Sequence, residues 1–125
     1  MNNFPSLSDG EVRRAAKKED LIRETAGQII KDFAGFNLEI SFSGSVPDFY
    51  QELFGQMEKH VEKLLTRDAA KFFNLLYRID VSPEEIDRYL KEFPGNSLSE
   101  IITELIIHRE LKKIMIRDYY RRSGQ

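Results

Sequence analysis

The chain has no cysteine among its 125 residues. It therefore cannot form a disulfide, a thiol nucleophile or a cysteine-ligated metal site. Histidine, the other common ligand of transition metals, occurs only twice. The lack of cysteine suits a reducing compartment, and we expect a cytoplasmic protein.

Long apolar runs are also missing, although a membrane-spanning helix needs about 20 consecutive apolar residues. The first ten residues are polar and hold no apolar signal core. We expect neither export by a standard signal nor a membrane span. An excess of one charge is absent too: the net charge is −2 and the pI about 5.7, so the chain as a whole has no attraction for nucleic acid or anionic lipid.

The composition that remains is typical of one globular domain, with 41% hydrophobic and 32% charged residues. Apolar residues recur at steps of three and four along most of the chain. This pattern predicts a single all-α domain over 1–125, with about five helices in a compact bundle. We expect residues 1–7 to be disordered and residues 122–125 to fray.

Capping signals predict where several of these helices begin. A Ser or Thr followed three residues later by Glu can exchange two hydrogen bonds with the first turn of a helix. The sequence has three such pairs, the second followed by proline at the first helical position. The third helix, from about 67 to 79, is apolar around most of its circumference, and we expect it to be the most buried element. The capping pairs are Ser8 with Glu11, Ser82 with Glu85, and Ser97 with Glu100.

One segment between the first two helices alternates apolar and polar residues, as a half-buried strand does. No short hairpin partner lies nearby, and a lone strand leaves its backbone hydrogen-bonding groups unpaired. The sequence allows two interpretations, pairing with the same strand of a second copy or an extended linker packed on the helices. The apolar residues are Phe36, Leu38, Ile40 and Phe42.

The last helix, from about 98 to 121, carries two apolar faces. One contains Leu98, Ile101, Ile102 and Leu105 and resumes at Ile116, Tyr119 and Tyr120; the other contains Ile107, Leu111 and Ile114. A helix that is apolar on two sides is either buried within its own chain or shared with a partner. We expect the second face to contact a partner helix, most simply from a homodimer, with burial within the chain as the alternative.

The same helix is rich in basic residues with tyrosines between them, a combination that can bind phosphates and stack bases. Cations near a helix C-terminus also stabilise the helix itself, by about 0.3 to 1 kcal/mol each. An anion site for nucleic acid or an acidic partner is thus a competing hypothesis. Its candidate residues are Arg109, Lys112, Lys113, Arg117, Arg121 and Arg122.

No hydrolase, phosphate-binding or metalloprotease motif occurs in the chain. Glu104 and His108 lie one helical turn apart, where a hydrogen bond on the helix surface is the expected relation, and the carboxylate repeat of di-metal bundles is missing. We expect no metal, no cofactor and no enzymatic activity. The sequence favours a self-associating protein–protein interaction or structural module.

Overall fold

A computed structural model describes residues 19–123, with side chains to residue 121. This part of the chain folds into five α-helices joined by short connections, with one 3-10 turn (Val46–Asp48) before the second helix. The predicted all-α class is confirmed. The predicted helix start at Ser8 and the predicted disorder of residues 1–7 lie outside the described residues, and the backbone is helical at 122 and 123. The helices are α1 (Glu19–Ala34), α2 (Phe49–Arg67), α3 (Ala69–Ile79), α4 (Pro83–Glu92) and α5 (Leu98–Ser123).

Both described capping boxes form as predicted. At the start of α4, Glu85 N–H donates to Ser82 Oγ over 3.2 Å and Ser82 N–H donates to Glu85 Oε1 over 3.3 Å. At the start of α5, Glu100 N–H donates to Ser97 Oγ over 3.2 Å and Ser97 N–H donates to Glu100 Oε1 over 2.9 Å. Each box satisfies donors that the first turn of a helix leaves without an intrahelical acceptor.

The turns after α1 and α3 each contain a left-handed residue that is not glycine. Asn37 has φ 61° and Asp80 has φ 70°, a conformation that asparagine and aspartate tolerate better than most residues. The following amide then bonds back to the helix, Leu38 N–H to Phe33 C=O over 3.0 Å after α1. The same arrangement closes α3, and it turns an apolar residue inward just beyond each helix.

The central element is α5, which packs against each of the other four helices. Its residues from Ile101 to Ile107 are all buried. The expectation that the third helix is the most buried was wrong: α3 exposes Phe73 by 64% and Tyr77 by 89%. The apolar residues of α3 are dense, but only one of its sides faces the core.

The segment after α1 is an extended linker, and the described residues contain no β-strand. Ile40 is 5% exposed as a whole residue, and Phe36, Leu38 and Phe42 are half-buried against the core. The packed-linker interpretation therefore matches the structure.

Side chains of α2 take the place of a partner strand for this linker. Glu52, Gln56 and His60 lie one helical turn apart, and each reaches a backbone group on alternate residues of the linker. The spacings match, because four helical residues rise about 6 Å and two extended residues span about 6.7 Å. The contacts are Ser43 N–H to Glu52 Oε1 at 2.9 Å, Ser41 N–H to Gln56 Oε1 at 2.9 Å, Gln56 Nε2 to Ser41 C=O at 2.8 Å, and His60 Nε2 to Glu39 C=O at 2.8 Å.

The middle rung of this ladder is testable with Gln56→Ala. Because Gln56 bonds both the N–H and the C=O of Ser41, we expect its loss to lower the free energy of unfolding by about 1 to 2 kcal/mol. Urea denaturation measures the change. Gln51→Ala is the matched control, since Gln51 is exposed on the same helix and makes no comparable contact. Equal effects of the two substitutions would show that the hydrogen bonds of Gln56 to Ser41 do not contribute to the free energy of unfolding.

Candidate functional site

The predicted partner-contact face on the last helix is buried within the chain. Ile107, Leu111 and Ile114 are 4%, 3% and 0% exposed. Burial within the chain, the alternative that the sequence left open, is thus what the structure has at this face. In the linker, Ile40 is buried, whereas Phe36, Leu38 and Phe42 are half-buried.

Most basic residues of α5 lie within ion-pair distance of carboxylates of the same chain. Arg109 pairs with Asp80 at 2.8 Å and Lys113 with Glu110 at 3.5 Å. Arg117 and Arg121 both pair with Glu24 of α1, at 3.5 and 3.1 Å. The side chain of Arg122 lies outside the described residues. Among residues 19–121, Lys112 is the candidate cation for which no carboxylate partner is found.

A different face of α5 remains uncovered near its C-terminal end. Ile116, Tyr119 and Tyr120 are 46%, 62% and 67% exposed, and with Met115 and Lys112 they line an open groove of about 340 Å³. Their spacing of three and four residues makes one continuous stripe on the helix. We call these residues the distal stripe: Lys112, Met115, Ile116, Tyr119 and Tyr120.

The distal stripe continues a face that is buried earlier in α5. At 100° per residue, Ile101 and Leu105 share its side of the helix, and they are 0% and 2% exposed. Helix α4 packs on α5, and Asp80 in the turn before α4 pairs with Arg109, which lies on this side of the helix. Beyond Arg109, the described residues leave the same face exposed.

Sequence reasoning placed three residues of the distal stripe on one face but selected the other face as the contact surface. The exposure of Ile116, Tyr119 and Tyr120 could have been predicted, because the short helix α4 cannot extend along the whole of the long last helix. Phe73 and Tyr77 on α3, the other exposed aromatics noted above, lie away from this groove.

Two glutamates of α5 are buried, which the sequence analysis did not predict. Glu104 is 3% exposed and accepts a hydrogen bond from the hydroxyl of Tyr50, so it does not lie on the helix surface as expected. Burial raises the pKa of Glu104 from 4.5 to about 7, although the bond from Tyr50 lowers it. Burial, and then the charge of Glu104, raises the pKa of Tyr89 to about 12. The hydrogen bond from Tyr50 links Glu104 of α5 to α2.

The second buried acid, Glu110, lies next to Asp32 of α1, and the two are 0% and 3% exposed. Burial raises the pKa of Glu110, and the neighbouring Asp32 raises it further. The pKa of Asp32 is lowered: its own burial acts to raise it, but hydrogen bonds from Glu110, Arg78 and Gln28 outweigh that effect. This pair joins α1 to the middle of α5.

Neither histidine joins a metal-binding cluster in the described part of the chain, where no group of three or more His, Asp or Glu residues has a suitable arrangement. His60 belongs to the linker ladder. No described helix is long and apolar enough to cross a bilayer. Comparison of the chain with protein-family models, with curated proteins and with solved structures finds no match.

The buried state of Glu104 predicts a stability that depends on pH. Its pKa is higher in the folded protein, about 7, than its ordinary 4.5, so the folded state holds the proton more tightly. The stabilisation that comes from protonated Glu104 is complete below about pH 4.5 and is lost as the pH rises through about 7. We expect Glu104→Gln, which can still accept from Tyr50, to gain roughly 2 to 4 kcal/mol relative to the parent between pH 5 and pH 8.

Chemical denaturation across that pH range measures the difference. Glu62→Gln is the control, because Glu62 is exposed on α2. A parallel pH dependence for the parent and for Glu104→Gln would contradict a neutral, buried Glu104.

Proposed function

We propose that this chain is a non-enzymatic protein–protein interaction module that self-associates through the distal stripe. The observation that carries the proposal is the contiguous exposure of Ile116, Tyr119 and Tyr120, at 46%, 62% and 67%. Contiguous apolar surface of this kind on a soluble domain commonly marks a contact site. Aromatic residues are also enriched at the centres of protein interfaces.

The shape of the site favours a helix as its occupant. Helix α4 packs on α5, and the turn before α4 pairs with Arg109 on the side of the helix that carries the stripe. The distal stripe extends the same face, with residues at helical spacing along an open groove. A helix laid along the stripe would continue the packing that α4 begins.

A second copy of α5 is complementary to the stripe in antiparallel orientation. With a two-fold axis near Ile116, that residue faces its counterpart, and Lys112 of one copy lies opposite Tyr120 of the other. A lysine ammonium over a tyrosine ring is attractive by about 0.5 to 1 kcal/mol at exposed sites. Because each copy supplies both groups, the contact forms twice, as a two-fold interface requires.

The charges around the stripe also permit self-association. Two copies of a basic helix would repel each other, but Arg117 and Arg121 are both paired with Glu24 of their own chain. The basic residue within the stripe, Lys112, faces a tyrosine of the other copy in the antiparallel arrangement. Repulsion between like charges is thereby reduced.

The stripe is short, and this sets the expected affinity. It extends from residue 112 to residue 120, a rise of about 12 Å along the helix. A contact of that length buries less than the roughly 1,200 Å² of a standard stable interface. We therefore expect a reversible dimer with a dissociation constant in the micromolar range.

Sedimentation equilibrium at about 10 to 300 μM tests the proposal directly. We expect the parent chain to shift from monomer to dimer over this range, and Tyr119→Ser to raise the dissociation constant about tenfold or more, as loss of a central aromatic does at interfaces. Tyr77→Ser is the matched control, because Tyr77 is an exposed tyrosine at 89% on α3. We expect it to change the constant by less than about twofold.

Two results would overturn this proposal. One is a parent chain that stays monomeric at every concentration. The other is a loss of association with Tyr77→Ser as large as with Tyr119→Ser, since that would place the contact elsewhere.

The competing hypothesis, an anion site for nucleic acid or an acidic partner, is supported by Lys112 beside the tyrosines of the same groove. It is weakened by the ion pairs that Arg109, Arg117 and Arg121 make with carboxylates of their own chain. We expect no anisotropy change when labelled single- or double-stranded oligonucleotides are titrated at low salt. Binding that falls steeply with salt and is lost in Lys112→Gln would favour the competing function.

A further inference from the structure

A cluster of charged and polar side chains lies between α1 and the middle of α5, on the opposite side of the helix from the distal stripe. Asp32 accepts hydrogen bonds from Gln28 Nε2 at 3.0 Å and from Arg78 Nε of α3 at 3.2 Å. Lys113 Nζ lies 3.5 Å from Glu110 Oε1. Among the described residues, Arg78 and Lys113 are the cations that face the acid pair.

The two carboxyl groups differ in how they are satisfied. Asp32 has two donors, whereas neither oxygen of Glu110 has a donor at hydrogen-bonding geometry, although the Glu110 side chain is 0% exposed. The nearest cation, the partly exposed Lys113, lies 3.5 Å from Oε1. Ionised Glu110 is costly there, because burial removes water and one distant ammonium replaces it poorly. Two adjacent buried carboxylates would also repel each other.

One proton removes both problems. A protonated Glu110 has an O–H that can donate to Asp32, which lies within hydrogen-bonding reach. Asp32 then has three donors, and the pair carries a single negative charge facing two cations. Arg78 and Lys113 are 50% and 28% exposed, so solvent screens them and they compensate a second buried negative charge poorly.

We propose that Glu110 is protonated in the folded protein and donates to Asp32, and that this shared proton acts as a pH-sensitive latch between α1 and α5. The latch is closed while Glu110 holds its proton. When the proton leaves, its hydrogen bond is lost and two buried carboxylates face each other. Contact between α1 and the middle of α5 then weakens.

The direction of the pH dependence follows from the two acids. The pKa of Glu110 is raised to about 8 in the folded state, so its contribution to stability is present at low pH and is lost as the pH rises through about 8. The pKa of Asp32 is lowered, so its contribution is lost only as the pH falls below its ordinary range. The latch is therefore strongest between these two limits and opens on the alkaline side.

NMR titration of the side-chain carboxyl carbons tests the proposal on the intact parent chain. We expect the Glu110 signal to titrate with a pKa of about 8, while Asp32 stays ionised far below neutrality. Over the same rise in pH, amide hydrogen exchange, corrected for its intrinsic pH dependence, should accelerate in α1 near Asp32 and in α5 near Glu110. A Glu110 signal that titrates near its ordinary value would overturn the proposal.

Two substitutions separate the latch from simple burial. In Asp32→Asn, the pKa of Glu110 should fall, because the neighbouring negative charge is gone; no change would exclude a shared proton. Glu110→Gln keeps a buried donor for Asp32, so the alkaline rise in exchange should disappear. Persistence of that rise in Glu110→Gln would assign it to another group, such as Glu104. If a variant does not fold, the parent titration alone decides.

Discussion

The fold depends on the enclosure of the first half of α5. Seven consecutive buried residues, Ile101–Ile107, require neighbours on every side of a helix, because side chains at 100° intervals point all around it. The other four helices each cover part of that circumference. Polar residues inside the enclosure need partners there. Thr103 donates to the backbone of its own helix over 2.8 Å, whereas Glu104 uses the Tyr50 hydroxyl from α2. The enclosed helix thus organises both the apolar core and its buried polar contacts.

Helix lengths explain why this enclosure stops partway. The ten residues of α4 extend about 15 Å, whereas the 26 residues of α5 extend about 39 Å. Beyond Arg109 the cover comes from α1, which runs antiparallel and meets α5 at Glu110, Arg117 and Arg121. Within the described part of the chain, this one-sided cover leaves the opposite face exposed, and Tyr119 and Tyr120 lie there. The uncovered groove is therefore a geometric result of a long helix packed beside a short one.

The first residues of two helices were predictable from the sequence because capping signals are local. The boxes at Ser82 and Ser97 need only residues three positions apart, and they form as predicted. Distant pairings were not predictable: nothing in the linker indicates that helix side chains such as Gln56 would satisfy its backbone. The central role of α5 also escaped prediction, since dense apolar residues in α3 do not reveal how many sides face the core. Of the two buried glutamates, the burial of Glu110 could have been predicted, because Glu110 lies on the same side of the helix as Ile107 and Ile114.

The position of Glu110 matters most for the exposed half of α5. There the helix contacts α1 through ion pairs to Glu24 and through the acid pair, and it buries Leu111 and Ile114 in the same stretch. Exposed ion pairs contribute little, typically 0 to about 1 kcal/mol, so the attachment depends mainly on apolar burial and on Glu110. A protonated Glu110 adds a hydrogen bond at this junction, and an ionised one adds repulsion. The rigidity with which α5 presents its exposed aromatics would then depend on the same proton, although the acid pair and the stripe lie on opposite sides of the helix.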